Sequence, residues 1–194
     1  MKTERMTAAE MAPRIARYGE LKRLPAQAAN VAPQAATDLI WARTILPVVG
    51  MAGGRGVTMN SQAPITGAGE MRISYAICPA GQGASLHAHY HSYETFTVME
   101  GRFEFRWNDD GSEGVVLGRL DAISIPPGVC RSFRNVGDGE GMLQIIASGD
   151  LSQADGVDYT PATRATVAAI DPAAPGTLEK LGVTFNAGVT AARG

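Results

Sequence analysis

The sequence predicts an all-β fold, a barrel or sandwich carried between two helical flanks. From about Val57 to Ser148, short alternating segments follow one another at the spacing of such a fold, with turn residues between them. On either side the chain gives helix start and stop signals instead. No self-similarity recurs at periods of about 20–50 residues, so solenoids and propellers are excluded.

Taken in order, Thr7 with Glu10 three residues later forms a capping-box pattern, and the stretch to Leu24 reads as one helix. Residues 25–37 (PAQAANVAPQAAT) have no clear period and read as an extended surface linker. Asp38 to Val49 contains a possible strand that Pro47 would end. Met71 to Cys78 separates Met71, Ile73, Tyr75 and Ile77 from Arg72, Ser74 and Ala76. Glu94 to Val98 and Arg102 to Trp107 also alternate, and the second ends at a hairpin-like Asn-Asp-Asp-Gly. Asp121 to Ile125, Arg131 to Asn135 and Met142 to Ser148 complete the series. Beyond them, Thr160-Pro161 reads as an N-cap with proline at the first helical position, and Thr177 to Leu181 ends in Gly182. The expected organisation has three parts. Residues 1–58 form a helix, a linker and a possible extra strand packing on the barrel, residues 59–149 form the barrel, and residues 150–194 form a loose extension with short helices.

Composition narrows the partners more than the chemistry. The 194 residues suit one ordinary domain with appended segments, and a hydrophobic fraction of 45% supports a core. A net charge of −2 offers no basic surface for nucleic acid. No apolar run approaches the roughly 18 residues of a membrane span, and the beginning of the chain, MKTERMTAAEM, lacks the apolar centre of a secretory signal. The expected location is the cytoplasm, with Cys78 and Cys130 as reduced thiols.

All three histidines lie in residues 81–101, GQGASLHAHYHSYETFTVMEG. His87 and His89 are two apart, so on one strand they share a face. Glu94 lies at an odd offset from them. The chain must turn at Tyr90 to Tyr93 for Glu94 to return on a neighbouring strand. Two imidazoles and a carboxylate are the donor set of two-His-one-carboxylate sites for divalent first-row metals. His91 reads as a polar loop residue near the mouth, Tyr90 and Tyr93 as packing and turn residues, and Cys130 as a neutral buried thiol. Gln144 would reach the pocket if Met142 and Ile146 faced inward.

The spacing from Gly81 through His87, His89 and Glu94 to Gly101 resembles the first cupin motif at every signature position. Residues 120–135 resemble the second: Pro126, Gly128 and Asn135 match, while Leu120 stands for its glycine and Arg131 for its histidine. The resemblance covers roughly residues 60–148. It implies a double-stranded β-helix, the cupin or jelly-roll barrel, with short helical flanks. It leaves the function open, because one fold hosts many chemistries.

Arg131, Phe133 and Asn135 share a face, which should aim Arg131 into the barrel where the family's third imidazole ligand would stand. A guanidinium keeps its protons and cannot ligate a metal. Two readings follow. Either His87, His89 and Glu94 bind a metal alone and Arg131 holds an anionic group beside it, or Arg131 pairs with Glu94 and replaces the ion. The leading expectation is a metal-dependent dioxygenase acting on an aromatic or enolic carboxylate. Its ion would be Fe(II), with Mn, Ni or Zn as other candidates. The alternatives are a metal-free, non-catalytic small-molecule-binding module and a cupin isomerase or epimerase. A homodimer is expected, because sheet edges need cover and Asp38 to Leu46 carries Trp41 and several aliphatics that a monomer would struggle to bury.

Overall fold

Two six-stranded sheets face each other across an aromatic core. The computed structural model describes residues 3–51, 63–67, 69–151 and 156–189. The expected boundary at residues 58–59 lies outside the described residues. The first sheet contains β1 (Thr44–Gly50), β2 (Ile65–Thr66), β3 (Met71–Cys78), β5 (Ser92–Glu100), β8 (Ala122–Ile125) and β10 (Gly141–Gly149). Its order is β2-β1-β3-β10-β5-β8. The second contains β4 (His87–Ala88), β6 (Phe103–Trp107), β7 (Glu113–Leu117), β9 (Arg131–Asn135), β11 (Val157–Tyr159) and β12 (Val183–Thr184). Its order is β12-β11-β4-β9-β6-β7. From β3 to β10 the chain passes back and forth between the sheets, which makes a double-stranded β-helix.

Phe96 on β5 meets Phe105 on β6 and Phe133 on β9, with ring centroids 5.3 and 5.6 Å away. These rings fill the interior, so the neighbouring strands supply smaller residues there. On β3 the core face is therefore Ala76 and Cys78, both fully buried. The larger Met71, Ile73 and Tyr75 lie on the opposite, partly covered face, where Tyr18 packs on Tyr75 at 6.1 Å. On β10, Leu143 and Ala147 are buried and pair with Val98 and Glu94. Gln144 thus belongs to the outer face and does not reach the pocket.

The flanks depart from the expected elements. The Thr7–Glu10 capping box forms, but α1 covers only Ala8–Met11. Pro13 turns the chain into a 3-10 turn at Ala12–Arg14, and a second at Tyr18–Glu20 precedes Leu24, so the single helix to Leu24 does not form. Residues 25–37 are not an extended linker. They contain α2 (Pro25–Ala28) and most of α3 (Gln34–Ile40), each begun by a proline whose φ suits a helix start. Pro47 does not end β1 but sits inside it at a register shift between Pro47 and Val49.

Ile40, Trp41, Ile45 and Leu46 are all buried within the chain. The aliphatics of that stretch therefore give no argument for a dimer. Gln27 and Gln82 explain how the N-terminal flank is held. The Gln27 amide donates to the Ala42 carbonyl at 2.7 Å and accepts from the Ile45 amide at 2.8 Å. Gln82 donates to the Asp38 and Trp41 carbonyls and accepts from the Arg43 amide. Arg43 also pairs with Asp38. Each buried side-chain amide thus satisfies backbone groups that no ladder reaches.

After β11, Thr160 caps α4 (Pro161–Ile170) by accepting from the Thr163 amide, as its sequence predicts. α5 spans Ala174–Glu179, three residues earlier at its start than the expected Thr177, and Gly182 follows in the left-handed region at φ +86°. Among the described residues, no helix is long and apolar enough to cross a membrane.

Candidate metal centre

His87 and His89 are brought to the barrel interior by β4 and the residue after it. His87 is opposite Arg131 on one side and Tyr159 on the other in the second sheet. The turn falls at Tyr90–His91, shorter than expected, and Ser92 already begins β5. Glu94 therefore returns on the facing sheet rather than on a hydrogen-bonded neighbour of β4. That crossing is what lets a carboxylate at an odd offset meet two histidines. Ligand atoms of His87, His89 and Glu94 all lie within 4.8 Å of one another.

The interior rows can be read from the strand register, since directly opposed residues share a face. Across the second sheet the row runs Tyr159, His87, Arg131, Trp107. Across the first it runs Arg72, Ala147, Glu94, Ile125. The site is thus a cross-section of the barrel with two imidazoles, a carboxylate and Arg131 among apolar and aromatic neighbours, and Arg72 is a second arginine in the rows.

Arg131 is 1% exposed, as its face predicted. Its Nη2 donates to Glu94 Oε2 at 2.6 Å, and its Nη1 donates to the His87 carbonyl at 3.3 Å. Its Nε is buried and has no hydrogen-bond partner among the described residues. The other Glu94 oxygen, Oε1, lies 3.6 Å from His89 Nε2. The carboxylate therefore divides its two oxygens, one toward the arginine and one toward the histidines. A buried arginine and a metal are not competitors for the same oxygen here.

Electrostatics put His87 and Glu94 in their ligating forms. Burial drives the His87 pKa well down, and the nearby charge of Arg131 pushes in the same direction, so the imidazole is neutral. Its Nδ1 lies 2.6 Å from the Ser85 carbonyl. In the neutral ring Nδ1–H donates there, which leaves the Nε2 lone pair available. Burial alone would raise the Glu94 pKa, but His89, Arg131 and His87 together outweigh it and set it at about 2. A neutral imidazole with a fixed tautomer and an ionised carboxylate fit a divalent first-row ion.

Of the other sequence candidates, His91 lies in the turn outside this cluster. Tyr93 is half-exposed, and Cys130 is buried with its thiol pushed up to about 11 by desolvation, so it is a poor nucleophile. Two site residues were not anticipated. The Tyr159 ring packs on His87 at 4.9 Å and its hydroxyl donates to the Ile40 carbonyl. Trp107, half-buried, stands beside Arg131 in the interior row. For Trp107 the signal was its alternation with Phe103 and Phe105, which reads as core until the register shows the row that it shares. Tyr159 had no such signal, because its strand is three residues long.

A double-stranded β-helix with this histidine–carboxylate cluster inside it defines a class of barrel, and the comparisons name it. Residues 74–147 match the family model described as a cupin domain. That match makes residues 74–147 a cupin domain. No curated protein matches it. Among solved structures, it is similar to the DMSP lyase DddQ of Ruegeria pomeroyi, at 21% identity and a TM-score of 0.45, over 57% of this chain and 48% of that one. It is also similar to a recombinant oxalate oxidase in complex with glycolate, at 20% identity and a TM-score of 0.40, over 45% of each chain. A third is the cupin domain of Schizosaccharomyces pombe Cnp3, at 18% identity and a TM-score of 0.40, over 43% of this chain and 59% of that one. The chain therefore spans about half the length of these structures. What each of them binds or does is a property of that protein.

Proposed function

We propose that the protein is a metal-dependent cupin enzyme acting on a small anionic molecule, and that its reaction is an oxygenation of an aromatic or enolic carboxylate. The observation that carries this reading is the split role of Glu94, with one oxygen toward the histidines and one on Arg131. His87 Nε2, His89 and Glu94 Oε1 would hold the ion. Fe(II), with Mn, Ni or Zn as the alternatives, would act as a Lewis acid on substrate oxygens and, where redox-active, would allow dioxygen chemistry. Arg131 offers its unsatisfied Nε and its fixed planar fork to a carboxylate or enolate. Ile125 and Ala147 flank Glu94 with apolar side chains, which strengthens a charged contact there.

The test is a thermal-shift screen of small carboxylates, enolates and their neutral amides against wild type and Arg131→Met. Acids are expected to stabilise the wild type more than amides do. Loss of the charged contact should cost about 2–3 kcal/mol of binding. Equal stabilisation by amides, or a preference for acids that survives in Arg131→Met, contradicts the anion site.

The second reading is a metal-free ligand-binding module, favoured by the 2.6 Å Arg131–Glu94 bond, which satisfies the carboxylate without an ion. Metal content separates the two. A homodimer belongs to the proposal as well. The N-terminal segment exposes Met6, Met11, Ile15 and Tyr18, a set of apolar side chains that a second copy would cover. Sedimentation at micromolar concentration checks it, and a monomer there contradicts it. Free, buried Cys78 and Cys130 agree with a reducing compartment such as the cytoplasm.

A further inference from the structure

β4 is a short strand for the task it carries. Only His87 and Ala88 are in the ladder, and His89 lies beyond it, held on the backbone by the Gly128 amide donating to its carbonyl at 2.7 Å. On one side β4 pairs with β9 at a single position, His87 with Arg131. On the other side its neighbour is β11, which belongs to the C-terminal flank, with Asp158 opposite Ala88 and Tyr159 opposite His87.

The two β11 residues grip the two faces of β4. Tyr159 packs on the His87 ring inside the barrel. Asp158 lies on the outer face, 6% exposed, and its carboxylate is a node for three donors. The Tyr90 hydroxyl donates to Oδ2 at 2.8 Å, while the Thr184 hydroxyl and the Asn186 amide donate to Oδ1 at 2.6 and 2.7 Å. Tyr90 directly follows His89, its ring is half-exposed, and its hydroxyl ties it to Asp158.

We propose that Asp158 is a positioning residue for the metal-ligating segment, fixing residues 87–90 through Tyr90 on the outer face of the sheet. The inference rests on the reading that His87 and His89 are ligands. A buried carboxylate with three donors has one geometry available, so it transmits the rigidity of β11 and β12 to a segment that backbone pairing leaves at two residues. Outer partners of ligating residues characteristically change metal affinity by about 10–100-fold when removed.

The test uses Tyr90→Phe and Asp158→Asn in the full chain. Tyr90→Phe removes one hydroxyl from a half-exposed ring and leaves Asp158 its other two donors, so it folds even if Asp158→Asn does not. Affinity for Zn(II), measured by chelator competition, is expected to fall about tenfold in Tyr90→Phe and up to about 100-fold in Asp158→Asn. The thermal midpoint of metal-free Tyr90→Phe is expected to stay at the wild-type value. Amide hydrogen exchange in the metal-free proteins supplies an arm that needs no ion. Exchange at residues 87–90 should quicken in the variants while exchange at residues 103–107 stays unchanged. If wild type binds no metal, the metal reading fails, and the exchange arm alone decides the positioning claim. Wild-type exchange at residues 87–90 in Tyr90→Phe, or quickening spread evenly over both sheets, overturns it.

Discussion

The two wings of the second sheet, on either side of Arg131, are built in opposite ways. On one wing, β9, β6 and β7 pair over five positions at each step, and β7 is almost wholly exposed. Its strength is in backbone ladders, and its outer side chains touch little. On the other wing, β4 pairs at one position with β9 and at two with β11. Its strength is in side chains: the Tyr159 ring on His87, the Tyr159 hydroxyl on Ile40, and the Asp158 node. The two candidate histidines belong to the weakly laddered wing, Glu94 faces them from the other sheet, and the well-laddered wing lends the cluster Trp107. A ladder fixes the backbone but leaves side chains to their rotamers, whereas side-chain contacts fix the imidazoles themselves.

The largest effect that sharpens this contrast is Tyr159→Ala. It removes a buried aromatic from the His87 side and is expected to destabilise by about 3–5 kcal/mol in denaturant unfolding. Its counterpart on the other wing, Val116→Ala, removes a side chain that is 47% exposed, and its effect should stay within about 0.5 kcal/mol. Comparable losses in the two variants would break the contrast.

Arg131→Met should cost about 3–5 kcal/mol in the metal-free protein, because it leaves the Glu94 carboxylate buried without its partner. Bound Zn(II) should offset part of that loss. Arg131→His restores the family's usual imidazole and removes a positive charge, so it should tighten metal binding in a chelator competition. Unchanged or weaker binding would mean that residue 131 does not face the ion.

His87 gives a smaller, pH-dependent effect. Its folded pKa is depressed below the ordinary value of 6.5, so below that pH the unfolded chain takes up a proton that the folded one refuses. The stability this group contributes is present above pH 6.5 and is lost as the pH falls toward its depressed folded pKa. Thermal midpoints of metal-free wild type and His87→Gln, followed from pH 7.5 to 5, check it at about half-unit steps. The wild type should lose more than the variant.

The smallest effect concerns Leu120, which occupies the glycine position of the second motif at φ +71° and is largely exposed. A branched aliphatic residue is strained in that region, so Leu120→Gly should stabilise by up to about 1 kcal/mol. A lower midpoint in that variant would show that the unfolded-state entropy of glycine outweighs the relief of strain.

What the sequence made legible follows the same division. Period-two alternation located β3, β5, β6, β8, β9 and β10, because those strands face a continuous aromatic interior. Motif spacing singled out His87, His89, Glu94 and Arg131, which the fold brings together, and the burial of Arg131 with Phe133 and Asn135 was readable from one strand face. The inner face of β3 was not, because Ala76 and Cys78 are smaller than the residues on its outer face. The N-terminal flank carries no legible helical period, because α2 and α3 are too short for one. Gln27 and Gln82 secure that flank from residues 15 and 39 positions away from some of their partners. Asp158 meets Tyr90 across 68 residues, and such a contact leaves no local pattern.

The central claim is that His87, His89 and Glu94 form one working metal centre. The most direct measurement is elemental analysis of protein purified without added metal, with His87→Ala purified in parallel. One divalent ion per chain in the wild type and its loss in His87→Ala is the expected result, since two remaining donors are too few for tight retention. A wild type without stoichiometric metal, or full occupancy in His87→Ala, contradicts the claim.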